Sequence, residues 1–182
     1  MYMTYSKTAH HKPHLTIGYT TRKHLLLDLD NTTRLKAERL AAQIHQLEPS
    51  TGDTIILCSS TQNLQQRVKY SKYNKPYVQT KRDNYHLVFD NAIGYNSCVR
   101  IIETLAQLGV LNRDYMKIRQ WRGDMTLRVS PVVLSNEHKP IPTIVSFVQN
   151  PHSTRRDGYI WVYLNFLNAV RTIFRHSPSQ PR

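Results

Sequence analysis

Apolar residues fall into short runs separated by polar stretches, and their spacing predicts a sequence of compact elements. HLTIGY (14–19) and HLLLDL (24–29) read as two short strands joined by TTRK, which predicts a hairpin. RLKAERLAAQIHQLE (34–48) has helical spacing: Leu35, Leu40, Ile44 and Leu47 make an apolar stripe, and PSTGD ends it. TIILC (54–58) predicts a strand buried on both faces, and YHLVF (85–89) predicts another. NSCVRIIETLAQLG (96–109) reads as a helix closed by Gly109, and NRDYMKIRQW (112–121) as a further helix. MTLRVS (125–130) and TIVSFV (143–148) are strands, and GYIWVYLNFLNAVRTIF (158–174) is a final helix or helix–strand mixture.

Residues 59–84 break this rhythm. SSTQNLQQRVKYSKYNKPYVQTKRDN is polar, basic and longer than an ordinary connection, which predicts a functional loop or an insertion with a small helix of its own. No internal repeat or low-complexity segment is present. The order of elements gives an α+β (α/β mixed) class: a mixed or antiparallel central sheet with flanking helices. The expectation is one domain over 1–182, with 1–13 and 176–182 flexible.

Charge changes the picture most. The 182 residues carry 25 Lys+Arg against 12 Asp+Glu, a net charge of +13, so a polyanion is the expected partner. The basic residues recur in TTRKH, QQRVKYSKYNKPYVQTKR, KIRQWR and STRRDG rather than in one tail, which favours a groove lining over a tethered arm. No apolar run approaches the roughly 20 residues that span a bilayer. The N-terminal MYMTYSKTAHHKPH lacks the apolar stretch of a signal peptide, so no membrane partner and a cytoplasmic location are expected. Cys58 and Cys98 lie in apolar segments without metal-ligand spacing and read as buried thiols.

The candidate chemistry starts at HLLLDLDNTT (24–33). On a strand Asp28 and Asp30 share a face, and their repulsion is relieved by a divalent cation drawing oxygens from both. The plain alternative is one strand-end cap and one surface residue. LLLDLDNTT resembles motif I of the haloacid dehalogenase phosphatases. That resemblance implies Asp28 as nucleophile, Asp30 as general acid, Ser59 or Ser60 as the second motif and Asp90 as a metal ligand.

The chain as a whole resembles the catalytic core of the archaeo-eukaryotic primases, the primase-polymerase superfamily, over roughly residues 14–130. The order IGYTTRKHLLLDLDN, helix, TIILCSS, NYHLVFDN, helix, WRGDMTLRVS carries the resemblance. It implies an RRM-like catalytic core and an acidic triad of Asp28, Asp30 and Asp124 holding Mg²⁺ or Mn²⁺ between an incoming triphosphate and a 3′ hydroxyl. It also implies that His86 contacts the triphosphate, with Asn84 where many members have Ser.

Beside that resemblance, Thr126 and Arg128 share a strand face with Asp124, and Arg128 suits a phosphate. Ser59 and Ser60 complete the nucleotide-binding set. Lys69, Lys72, Lys75, Lys81 and Arg82, interleaved with Tyr70, Tyr73 and Tyr77, suit nucleic acid, with cations for phosphates and rings for bases. Arg119 and Arg122 join them, flanking Trp121, which reads equally as a base-stacking ring or a core residue. His86 reads otherwise as a structural histidine and Asp124 as a turn residue.

The expected function is therefore a template-dependent nucleotidyl transferase, a DNA primase/polymerase acting on single-stranded DNA and (d)NTPs in the replication of a mobile element. A separate helicase or template-loading protein would assist it. The alternatives are a non-catalytic DNA-binding replication protein and a phosphatase.

Overall fold

The structure, a computed structural model, describes residues 2–5, 15–60, 68–70, 76–78, 83–134 and 137–176. A central four-stranded sheet is built from β3 (His24–Thr32), β4 (Thr54–Cys58), β7 (Asp83–Ala92) and β11 (Thr143–Val148), in the order β11-β4-β7-β3. A second sheet joins β1 (Tyr2–Tyr5), β2 (Leu15–Thr21) and β8 (Met125–Arg128). Two small ribbons are β5 (Val68–Tyr70) with β6 (Pro76–Val78), and β9 (Val132–Leu134) with β10 (Glu137–Lys139). Every pairing is antiparallel, so the fold is α+β with antiparallel sheets.

The helices are α1 (Arg34–Leu47), α2 (Tyr95–Gln107), α3 (Arg113–Arg122) and α4 (Tyr159–His176). Side-chain caps start two of them. Thr33 accepts the Lys36 N–H at 3.3 Å, and Asn112 accepts the Asp114 N–H at 2.8 Å. Gly109 and Gly123, both at positive φ (70° and 66°), follow the ends of α2 and α3. Residues 159–176 form continuous helix, because their apolar residues keep helical spacing throughout. Among the described residues no helix is long and apolar enough to cross a membrane.

Strand alternation shows how the layers stack. Phe89 of β7 meets His45 of α1 edge-on, ring centroids 5.8 Å apart. Asp90, the next residue and so on the opposite face, accepts the Ile160 N–H at the start of α4. β7 therefore runs between α1 on one face and α4 on the other. Leu25, Leu26 and Leu27 of β3 and all of β4 are buried, as strands covered on both faces require. Tyr19 of β2 packs against the rings of Tyr159, Tyr163 and Phe166 of α4, joining the second sheet to the core. Cys58 and Cys98 are buried free thiols, as expected, and burial pushes Cys98 up to about 12.

Two expectations change. β2 and β3 are not a hairpin: β2 pairs with β1 and β8, and β3 pairs with β7. The turn at Arg22 and Lys23 passes the chain between sheets, and the Lys23 carbonyl accepts the N–H groups of Ile93 and Gly94 at 2.9 and 3.0 Å. Pairing with β7 is what lets Leu25–Leu27 be covered on both sides. Secondly, residues 2–5 are not a loose tail but pair with Leu15–Gly18. Of the 59–84 stretch, expected as a functional loop or an insertion with a small helix, the described residues include the β5–β6 ribbon.

Candidate functional site

β3 and β7 place Asp28 directly opposite His86 in register, and the carboxylate lies 3.5 Å from Nε2 of the imidazole. His86 is fully buried. Burial, followed by the positive charges of Arg128 and Lys139, depresses it to about 3, so the ring is neutral and the contact is not an ion pair. Burial raises the Asp28 carboxyl, while Arg128, Lys139 and Arg119 pull against that rise. Its side chain is 37% exposed, so it sits at an opening rather than inside the core.

α3 supplies the other wall. Tyr115 and Arg119, one helical turn apart, face inward: the Tyr115 hydroxyl donates to the Leu26 carbonyl at 2.8 Å, and the Arg119 guanidinium lies over the Tyr115 ring at 5.1 Å. Arg119 donates to Asp124 at 3.3 Å. Asp124 also accepts the Thr126 hydroxyl at 2.9 Å, and Thr126 bonds Thr20 across the β2–β8 pair at 3.0 Å. Arg119 thus links Asp124 to the surroundings of Asp28.

Five buried side-chain polar atoms lack a partner among the described residues, and three belong to groups interacting with Asp28. They are His86 Nδ1, Arg119 Nε and the Tyr163 hydroxyl. Unsatisfied buried groups are costly and rare, so their gathering around one carboxylate marks this spot.

Comparison with family models, with curated proteins and with solved structures finds no match.

Asp30 departs from the expected face. The β3–β7 register shifts by one residue between Leu29 and Thr32, and Asn31 within the bulge has φ 52°. The extra residue breaks the alternation that would align Asp30 with Asp28. Asp30 lines a cleft of about 350 Å³ with Lys36, Leu40, Gln43 and Val110. Among the described residues no group of three or more His, Cys, Asp or Glu side chains is placed to hold a metal ion. Arg119 already holds Asp124, so a divalent cation at that carboxylate would have to displace the guanidinium.

The remaining expected residues take other positions. Arg128 clasps backbone: it donates to the carbonyls of Ser59 at 2.6 Å, Pro140 at 2.9 Å and Ser130. Its charge still reaches Asp28 and His86. Asn84 Oδ1 accepts the Asn31 N–H at 2.9 Å and so pins the bulge. Ser59 is buried, and Ser60 donates to Asp83 at 3.1 Å. Arg119 is buried rather than presented to nucleic acid, because it lies on the inner face of α3; Arg122 and Trp121 are exposed. Asp90 accepts the Gly158 and Ile160 N–H groups at 3.3 and 2.8 Å, so both its oxygens serve the start of α4. Lys72, Lys75, Lys81, Arg82 and Tyr73 lie outside the described residues, as do the side chains of Lys69, Tyr70 and Tyr77.

Tyr115, Lys139 and Tyr163 were not singled out from the sequence. The four-residue spacing of Tyr115 and Arg119 was a usable signal, since it places a hydroxyl and a cation on one helix face. Nothing local marks Lys139 or Tyr163, which reach the site through the tertiary fold alone.

Proposed function

We propose that the protein is a nucleotidyl transferase of the primase-polymerase type, acting on single-stranded DNA and nucleoside triphosphates. The observation that carries this reading is the cross-strand pair Asp28–His86 on β3 and β7, with the charge of Arg119, itself paired to Asp124, reaching Asp28, in the acid–histidine–acid order of the resemblance. A neutral buried imidazole donates a hydrogen bond to a phosphate oxygen without needing a proton from solvent. Arg119, Arg128 and Lys139 supply the positive potential that a triphosphate requires, since phosphoryl transfer is governed by positioning and charge neutralisation. Mg²⁺ or Mn²⁺ would be held by Asp28 and Asp124, with Arg119 displaced from Asp124, and would supply charge neutralisation at the triphosphate. The net charge of +13 suits the template, and a helicase or loading factor is a separate protein in this reading.

One observation favours a second reading, a non-catalytic replication protein that binds nucleic acid. Arg119 holds the place beside Asp124 that a cation would need. A primed and an unprimed single-stranded template, offered with all nucleotides and either Mg²⁺ or Mn²⁺, separates the two. Extension or de novo product lost in Asp28→Asn supports the transferase. Template binding without product, equal in parent and Asp28→Asn, supports the binding protein.

A further inference from the structure

Both tryptophans of the chain are on the surface, and their surroundings differ in kind. Trp121 on α3 is 83% exposed and Trp161 on α4 is 71% exposed. An exposed ring of that size forfeits the burial energy it would gain in a core, so each one suggests a partner. Around Trp161 the outer residues of α4 include Val162, Asn165, Asn168, Ala169, Thr172 and Ile173, without an exposed cation among the helix residues whose side chains are described.

Trp121 has cations. Arg113, Lys117 and Trp121 are spaced by four residues and form one stripe along α3, opposite the inward Tyr115 and Arg119. Successive members of that stripe rise by about 6 Å along the axis. Arg122, the next residue, is exposed at the end of the helix about 100° round from the ring, and Ile118, also exposed, adds apolar surface one turn earlier. The acids nearby are few. Asp114 lies 3.9 Å from Lys117 with both side chains exposed, a pair worth little in water, and Glu103 is engaged by Gln120 at 2.5 Å.

We infer that the outer face of α3 is a stacking platform for single-stranded nucleic acid, with Trp121 taking a base and Arg113, Lys117 and Arg122 taking phosphates. A ring flanked by cations is the pairing that unpaired bases and their backbone require, and a duplex cannot offer the base face. The chain's charge draws the strand in, and the ring sets where it rests. This deepens the nucleic-acid reading above and also gives α3 two duties. Its inner face holds Asp124 through Arg119, and its outer face holds the strand.

The two exposed rings make the test direct. Oligothymidylate is titrated into the intact protein while tryptophan emission is followed, in parent, Trp121→Phe and Trp161→Phe. Quenching is expected in the parent and in Trp161→Phe and is lost with the fluorophore in Trp121→Phe, while affinity, read by anisotropy of a labelled oligonucleotide, falls about tenfold in Trp121→Ala. Trp121→Tyr, which keeps a stacking ring, should restore most of that affinity. Arg113→Ala and Arg122→Ala should each weaken binding and flatten its salt dependence. Quenching that survives in Trp121→Phe and vanishes in Trp161→Phe overturns the assignment, as does equal competition by a duplex of the same length. Product synthesis without Trp121-dependent quenching sinks the platform and leaves the transferase standing; quenching without synthesis does the reverse.

Discussion

Two carboxylates flank the buried stretch of β7, Asp90 on the strand itself and Asp28 on its neighbour β3, and the two are treated in opposite ways. At one end Asp90 is buried and both its oxygens accept N–H groups from the start of α4. At the other, Asp28 on the neighbouring strand faces His86 at 3.5 Å, and no hydrogen bond reaches it among the described residues. Asp90 is consumed by the fold, doing for α4 what an N-cap side chain does from within a helix. Asp28 sits at an opening without a protein donor among the described residues, and partial burial raises its carboxyl against the pull of three cations. An acid after an apolar strand does not distinguish these fates. The donors around it do.

The sharpest way to break the contrast is to remove Asp90. Asp90→Ala leaves two N–H groups at a buried helix start without acceptors, a loss of about 2–4 kcal/mol by the usual cost of unsatisfied buried donors and lost caps. Chemical denaturation with a helix-sensitive readout checks it, and a loss under about 1 kcal/mol would mean that water replaces the carboxylate there. Gly52→Ala attacks the same end with a smaller effect. Gly52 has φ 74°, and a Cβ there would lie 2.6 Å from Cγ of Asn91 and 3.0 Å from its backbone nitrogen. Asn91 in turn fastens the 153–157 loop, donating to Ser153 Oγ at 3.1 Å and to the Arg155 carbonyl at 2.9 Å and accepting the Asp157 N–H at 3.1 Å. The substitution should cost about 2 kcal/mol from left-handed strain and crowding combined, measured as a lowered denaturation midpoint with unchanged slope.

This contrast marks how far the sequence could be read. Helix and strand positions followed from periodicity, and the pairing of an Asp strand with a His strand followed from their order. The β2–β3 hairpin did not, because two adjacent apolar runs look alike whether they join each other or two different sheets; only the two-sided burial of Leu25–Leu27 decides it. The alignment of Asp28 with Asp30 failed for a local reason, since period-two reasoning assumes an unbroken strand and the bulge at Asn31 breaks it. Asp90 looked as eligible as Asp28, and its use by a helix almost seventy residues later is tertiary information. Arg119 looked like a surface cation until α3 was oriented by Tyr115.

Acid titration sharpens the contrast from the imidazole side. His86 is depressed from 6.5 to about 3 in the folded chain. Between those values the unfolded chain takes up a proton that the folded chain refuses, so this contribution to stability is present above 6.5 and is lost as pH falls toward 3. The slope approaches about 1.4 kcal/mol per pH unit for one proton. His86→Gln should remove about one proton's worth of steepness from a plot of stability against pH. His24 and His45, also lowered by burial, leave a residual slope of the same sign. An unchanged slope in His86→Gln would mean that the imidazole is hydrated in solution, and the enclosed half of the comparison would fall.

The smallest effect is the most discriminating. The Asp28 carboxyl is raised above its ordinary 3.8, so the unfolded chain gives up this proton at lower pH than the folded one. Stability from this group is therefore greatest below 3.8 and declines as pH rises toward the folded value. Asp28→Asn removes that decline. At neutral pH the variant should be as stable as the parent or slightly more so, the difference closing on acidification, as paired thermal melts at neutral and acid pH would record. Asp90→Asn, tested alongside, should lose stability because an amide offers one acceptor where two N–H groups need them. If Asp28→Asn instead destabilises the chain at neutral pH, the Asp28 carboxylate serves the fold as Asp90 does, and the case for a ligand-binding acid opposite His86 is lost.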